Sequence, residues 1–109
     1  METNREKQQE RLEKVFAVVD QIKTDLGRAW GIRVNDSKKG MEIAGGKKIT
    51  WWQFDGVHLF REREVIGLPV TDFSVTYFPE SNSVLYRIEL DGKEQIRGYI
   101  FLMNMKKEG

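Results

Sequence analysis

His58 is the only histidine in the chain, and it is the first residue to test for chemistry. A general base needs a carboxylate or nucleophile within hydrogen-bond reach, which Asp55 or Asp72 would have to supply. His58 stands between Val57 and Leu59 in strand-like sequence, on the face shared with Phe60. Lone strand histidines are mostly surface or half-buried structural residues. One histidine cannot build a His-rich metal site, and with no cysteine there is neither a thiol nucleophile nor a thiolate metal site. The scattered acids Asp20, Asp25, Asp55, Asp72 and Asp91 show no paired-carboxylate spacing. Several occupy turn positions, where aspartate is common. No EF-hand spacing occurs. These residues lead us to expect no catalytic centre, no cofactor, no metal site and no small-molecule substrate.

Three further stretches could carry function. Gly45-Gly46-Lys47-Lys48 invites comparison with a phosphate-binding loop. Such a loop needs its lysine at the start of a helix, whereas strand-like residues follow here, so the stretch reads as a turn. Trp51 and Trp52 are adjacent. Neighbouring strand residues face opposite ways, so one ring enters the core and the other faces out. The outward ring could be a binding anchor or a cross-strand packing partner. Arg61-Glu62-Arg63-Glu64 alternates in sign, putting both arginines on one face and both glutamates on the other. It is a candidate partner surface, set against the common use of charge to blunt a solvated edge strand.

The elements that must position these residues follow from periodicity. Leu12, Val15, Val19, Ile22, Leu26 and Ala29, with Phe16 and Trp30 beside them, recur at helical spacing. We assign residues 1–34 to one long amphipathic helix. Thr3 and Glu6 fit a capping box at its start, and Gly27 and Gly31 weaken its end. Residues 4–11 are all polar or charged, so the first turns project into water or touch something outside the chain. The packing or assembly face is Leu12, Val15, Phe16, Val19, Ile22 and Leu26. Heptad-like spacing would also suit a coiled-coil seam, but the stripe is broader than a seam and a sheet is present to be covered.

Residues 40–105 read as antiparallel sheet. Met41–Ala44, Lys48–Phe54, Val57–Arg63, Pro69–Phe78, Val84–Leu90 and Glu94–Asn104 alternate, with turns at Gly45-Gly46, Asp55-Gly56, Pro79–Ser83 and Asp91-Gly92. With no helix between them, a meander of about six strands is expected under the one helix, an α+β arrangement in a single domain, residues 1–109. The balance of 18 Lys and Arg against 17 Asp and Glu, net +1, lacks the clustered basic excess of a nucleic-acid binder. The apolar run Val15–Val19 is far too short to cross a membrane, and the first residues do not form a signal peptide.

The order of these parts resembles the minor type IV pilins and the minor pseudopilins of type II secretion, most nearly the J-type pseudopilins and their pilus or competence-pilus counterparts. The run from Leu12 through Asp25-Leu26-Gly27-Arg28-Ala29-Trp30 looks like the end of that family's first helix. Ile49–Arg61 is similar to its first hairpin, Val70–Phe78 to its next strand, and Val84–Leu90 with Tyr99–Asn104 to its closing hairpin. Met103 departs from the arginine frequent there. The prepilin peptidase site and apolar half-helix of the family do not occur in this sequence. The resemblance therefore implies a head domain alone, with Met1 an engineered start.

It further implies a non-enzymatic structural subunit in a bacterial cell envelope, held in the inner membrane by the missing N-terminal half-helix with its head outside the cytoplasm. Partners would be other minor pilins or pseudopilins, met through helix and head. A few family members bind calcium at loop carboxylates, which stays open here. The alternative is a small cytoplasmic ligand-binding module, with an apolar pocket between helix and sheet lined by Trp51, Trp52, Phe73 and Tyr77.

Overall fold

The structure, a computed structural model, describes residues 4–105. Thr3 of the expected capping box lies outside the described residues. Helix α1 spans Asn4–Gly27. Eight strands follow: β1 (Ala29–Val34), β2 (Gly40–Gly45), β3 (Lys48–Phe54), β4 (Leu59–Arg61), β5 (Glu64–Val65), β6 (Val70–Phe78), β7 (Ser83–Leu90) and β8 (Glu94–Phe101). The α+β class holds, but the strands form two antiparallel sheets, β1-β2-β3-β4-β5 and β6-β7-β8, rather than one meander of six.

The helix is shorter than residues 1–34. It stops at Gly27, and Ala29–Val34 pairs with β2 instead. Gly27 and Gly31 each cost a helix about 1 kcal/mol relative to alanine. Residues 29–34 lie next to an apolar strand with which they exchange ladder bonds. Ala29 stays buried and Trp30 faces out, its indole N–H donating to the Gly46 carbonyl at 2.9 Å. The Asn104 amide donates to the Gly27 carbonyl at 2.9 Å, so a residue from the far end of the chain caps the helix C-terminus.

Three turns also differ from expectation. The first hairpin turns at Gly46-Lys47, since Gly45 still pairs with Lys48. Strand β4 begins at Leu59, not Val57, because the Asp55 carboxylate accepts the backbone N–H groups of Val57 and His58 (2.8 and 2.7 Å) and holds residues 55–58 as a loop. These bonds, His58's first, push the Asp55 carboxyl below its ordinary pKa. Glu62-Arg63 is itself a turn, between β4 and β5. The final Asp91-Gly92 turn is as expected, with both residues at positive φ (53° and 68°) and Lys93 N–H donating to the Leu90 carbonyl at 3.0 Å.

Pro69 lacks an amide hydrogen and separates β5 from β6, which is where the two sheets part. They are rejoined by the loop between β1 and β2. Lys38, at φ 62°, turns its carbonyl to the edge of β6 and accepts the Val75 N–H at 2.9 Å. The Lys39 carbonyl accepts the Phe54 N–H at 2.9 Å, while the Lys39 ammonium pairs with Asp72 on β6 at 2.6 Å. Arg87 on β7 takes the other Asp72 oxygen at 2.8 Å.

One core lies beneath both sheets. Helix α1 contributes Ile22 and Leu26; the five-stranded sheet Met41, Ile43, Trp52, Phe54 and Leu59; the three-stranded sheet Phe73, Val75, Val84, Tyr86, Ile88 and Leu90. Trp52 and Phe73, both fully buried, stack across the junction with ring centroids 6.5 Å apart. Tyr86 lies over Gly98, its register partner on β8. A methyl group at Gly98 would overlap the phenol ring.

Two predictions follow from this packing. Gly98→Val should destabilise the domain by about 1–3 kcal/mol, as overpacking does, and Tyr86→Leu in the same chain should recover part of that loss in urea titrations. The seam predicts a pH dependence. The hydrogen bond from Lys39, then its charge and that of Arg87, holds the Asp72 carboxyl below its ordinary pKa against the opposing effect of burial. A carboxyl lowered in the folded state stabilises fully above its unfolded pKa, about 3.9, and loses that stabilisation as the pH falls through the folded value. Urea midpoints measured from neutral pH down to about pH 2 should fall below about pH 4, and Asp72→Asn should flatten that decline.

Candidate functional site

The six residues of the expected helix face divide into two lines. Ile22 and Leu26 are fully buried and Val15 is partly buried against the core, joined there by Val18. Leu12 and Phe16 are exposed (52% and 62%), and Val19 is half-buried. At 100° per residue, Leu12, Phe16 and Val19 lie about 80° round the helix from the buried line. The sheets cover one line and leave the other open. Towards the N-terminus no side chain from Arg5 to Glu10 is buried. Arg11 is the first to reach the body of the domain, pairing with Asp91 at 2.7 Å and Glu94 at 3.2 Å in the β7–β8 turn.

What fixes the helix's rotation is Asp25, which lies with Ile22 and Leu26 on the inward side. Its carboxylate is buried and accepts four donors: the Trp52 indole N–H at 2.8 Å, Arg61 Nε and Nη2 at 2.9 and 3.0 Å, and the Gln21 amide at 3.1 Å. The bidentate arginine contact is the strong form of carboxylate recognition. The Asp25 bond raises the Arg61 pKa above its ordinary value.

Arg61 therefore does not face a partner. It shares the inward face of β4 with Leu59, and its side chain is only 25% exposed. The other members of the proposed partner surface remain outside. Glu62, at φ 57°, pairs with Lys48 across the β3–β4 edge at 3.2 Å, and Arg63 and Glu64 are exposed. Trp52 points into the core and Trp51 out (53% exposed), so the two rings take opposite faces of β3.

The histidine is not in a strand. His58 is exposed in the Asp55 loop, where Asp55 bonds its backbone rather than its ring, and the ring leans on Phe60 edge-on at 6.2 Å. Asp72, the other acid considered, is held by Lys39 and Arg87. The four aromatics of the pocket reading do not surround one space, since Trp52 and Phe73 fill the core while Trp51 faces the opposite side of the sheet. An open groove of about 330 Å³ does run between the helix (Lys14, Ala17, Val18, Gln21) and the segment Glu64–Leu68, with Arg61 at its floor. Among the described residues no helix is long and apolar enough to cross a membrane.

The Asp25 contact could have been found from sequence by two signs. An acid interrupts an apolar helix face, and the alternation Leu59-in, Phe60-out puts Arg61 inward. Removing one partner of such a buried pair leaves the other charge and the indole N–H without their acceptor. Asp25→Ala should cost about 2–4 kcal/mol, whereas Asp25→Asn, which keeps an acceptor for Trp52, should cost less. Chemical denaturation of both variants, with near-ultraviolet dichroism of the tryptophans, checks the order. Compared with known proteins, the chain matches no family model and no curated protein.

Proposed function

We propose that this chain is the head domain of a pilin-like structural subunit, a minor pilin or minor pseudopilin that assembles with its relatives and catalyses nothing. The observation that supports this reading is the division of the helix. From Arg11 onward it is held on a two-sheet head by the Arg11 pairs, Asp25, Ile22 and Leu26, while its first turns, residues 5–10, stand exposed beyond it. The helix is 24 residues, about 36 Å long. The molecule measures 60 × 25 × 23 Å with a radius of gyration of 14.8 Å, above the roughly 13 Å of a compact chain of this length.

An amphipathic helix that runs out of its own domain with Leu12 and Phe16 uncovered has the form of a stem that packs among other stems. Contacts with neighbours would run along Leu12, Phe16 and Val19, with Glu62, Arg63 and Glu64 offering a charged rim at the head. In this reading the stem continues into an inner-membrane anchor upstream of Met1, and the head lies outside the cytoplasm of a bacterium. A pilus, a competence pilus and a type II secretion pseudopilus all fit the same geometry.

The groove beside Arg61 favours a second reading, a small ligand-binding module. It predicts saturable shifts in the methyl resonances of Ala17, Val18 and Ile66 when small apolar compounds are titrated in.

The genomic reading frame tests the first reading. A frame that continues upstream of Met1 through a prepilin peptidase site into an apolar half-helix supports it, and a frame that opens at Met1 without one overturns it. Since these 109 residues contain no cysteine, Leu12→Cys or Phe16→Cys places one thiol on this domain of the anchored protein. Each should cross-link in cells to minor subunits of the same system, while Lys47→Cys at the far turn should not.

A further inference from the structure

Two sheets present four lateral edges, and three are blunted by recognised devices. Strand β1 carries a bulge between Ala29 and Gly31. Strand β5 is two residues long. Strand β6 is irregular between Val70 and Asp72, and the Lys38 carbonyl occupies its edge at Val75. The fourth edge, β8, is different. It runs eight residues in unbroken register with β7 and contains no proline or lysine. Its charges are Glu94, paired with Arg11 of the adjoining α1, and Arg97, and among the described residues it pairs with no strand on its other side. Its inward residues are left unfinished as well: Ile96 and Ile100 are half-buried, whereas their neighbours Ile88 and Val84 on β7 are fully buried.

The outer face beside this edge is apolar. Phe78, Leu85, Tyr99 and Phe101 are 39%, 38%, 50% and 57% exposed. Tyr99 is in ring contact with both Phe78 (6.3 Å) and Phe101 (5.1 Å). Its hydroxyl is bound to the buried Ser83 hydroxyl at 2.6 Å, which fixes the ring as a platform.

We infer that β8 is an interface between two copies of this chain, joined by antiparallel pairing of β8 with β8 of the second copy about a two-fold axis at Gly98. The residue pattern singles out this occupant and this register. Side chains keep to their own face only if paired positions differ by an even number. With the axis at Gly98, Ile96 meets Ile100 of the second copy on the inner face, completing two half-buried positions. On the outer face Arg97 meets Tyr99 of the second copy, a cation over a ring, and Gln95 meets Phe101. No like charges oppose each other. One step towards the N-terminus sets Arg97 against itself, an unfavourable cross-strand pair. One step the other way carries Gln95 past the end of the partner strand. The product is a continuous six-stranded sheet with both aromatic platforms on one side. An edge of eight residues is a small contact beside the roughly 800 Å² per partner of a stable dimer, so association should depend on concentration.

Sedimentation velocity on the purified chain, from about 1 µM to about 1 mM, should show a monomer–dimer equilibrium. Gln95→Lys with Phe101→Lys opposes lysines twice across the axis and should weaken the dimer about tenfold or more. Gln95→Glu with Phe101→Lys opposes unlike charges and should restore it at low salt. Both positions are exposed, and far-ultraviolet dichroism verifies that each variant is folded. A chain that stays monomeric over the whole range overturns the inference. So does a dimer that ignores both double variants, or one abolished by Phe16→Glu instead, which would place the contact on the helix stripe.

Discussion

The bond network at Asp25 is the constraint on which the rest of the geometry depends. A helix lying on a sheet can slide along its axis or roll about it at little cost, because apolar contacts are not directional. Four donors converging on one carboxylate, two of them from a single guanidinium, remove both freedoms. Such a pair adds little net stability over a well-packed apolar substitute, since burying the charges costs nearly what their attraction returns. What it supplies is position. With Asp25 turned inward, Ile22 and Leu26 are buried and the Leu12–Phe16–Val19 line is held to the side. The same contact fixes Trp52, whose ring stacks on Phe73 of the other sheet, so one carboxylate sets the relation between helix and both sheets.

Much of this was legible in the sequence. The long helix, the antiparallel strands, the Asp91-Gly92 turn and the opposed faces of Trp51 and Trp52 all follow from periodicity and turn chemistry. Errors arose where two local patterns overlapped. Ala29 and Trp30 extend the helical stripe in register, yet Gly27 ends the helix and the strand ladder with β2 takes the residues that follow. Asp55-Gly56 read as a two-residue turn, but the carboxylate gathers two further amides and lengthens the loop until His58 falls outside the strand. The division into two sheets was not legible at all. It arises at Pro69, and the repair depends on a backbone carbonyl of Lys38 reaching β6 in a contact that no side-chain pattern encodes.

The candidate site was legible in type more than in detail. The apolar residues of α1 could be listed from their spacing, but their division into buried Ile22 and Leu26 and exposed Leu12 and Phe16 depends on the rotation set by Asp25. Arg61 shows the same point from the other side. Read as part of an alternating charge run, it belongs at the surface; read by strand parity with Leu59, it belongs inside, and the buried partner decides between the two.

The bond from Asn104 to the Gly27 carbonyl has a mechanical consequence. Tension on the N-terminal side of α1 acts along the helix axis, and the last turn of that helix is tied to the segment that follows β8. The Asp25 network, the Arg11 pairs and the buried line of α1 then carry the load in parallel, as contacts in shear, rather than opening one after another as a hairpin does when its ends are peeled apart. Shear loading needs many contacts to fail at once. The domain can therefore be pulled through α1 without its strands being the first to yield.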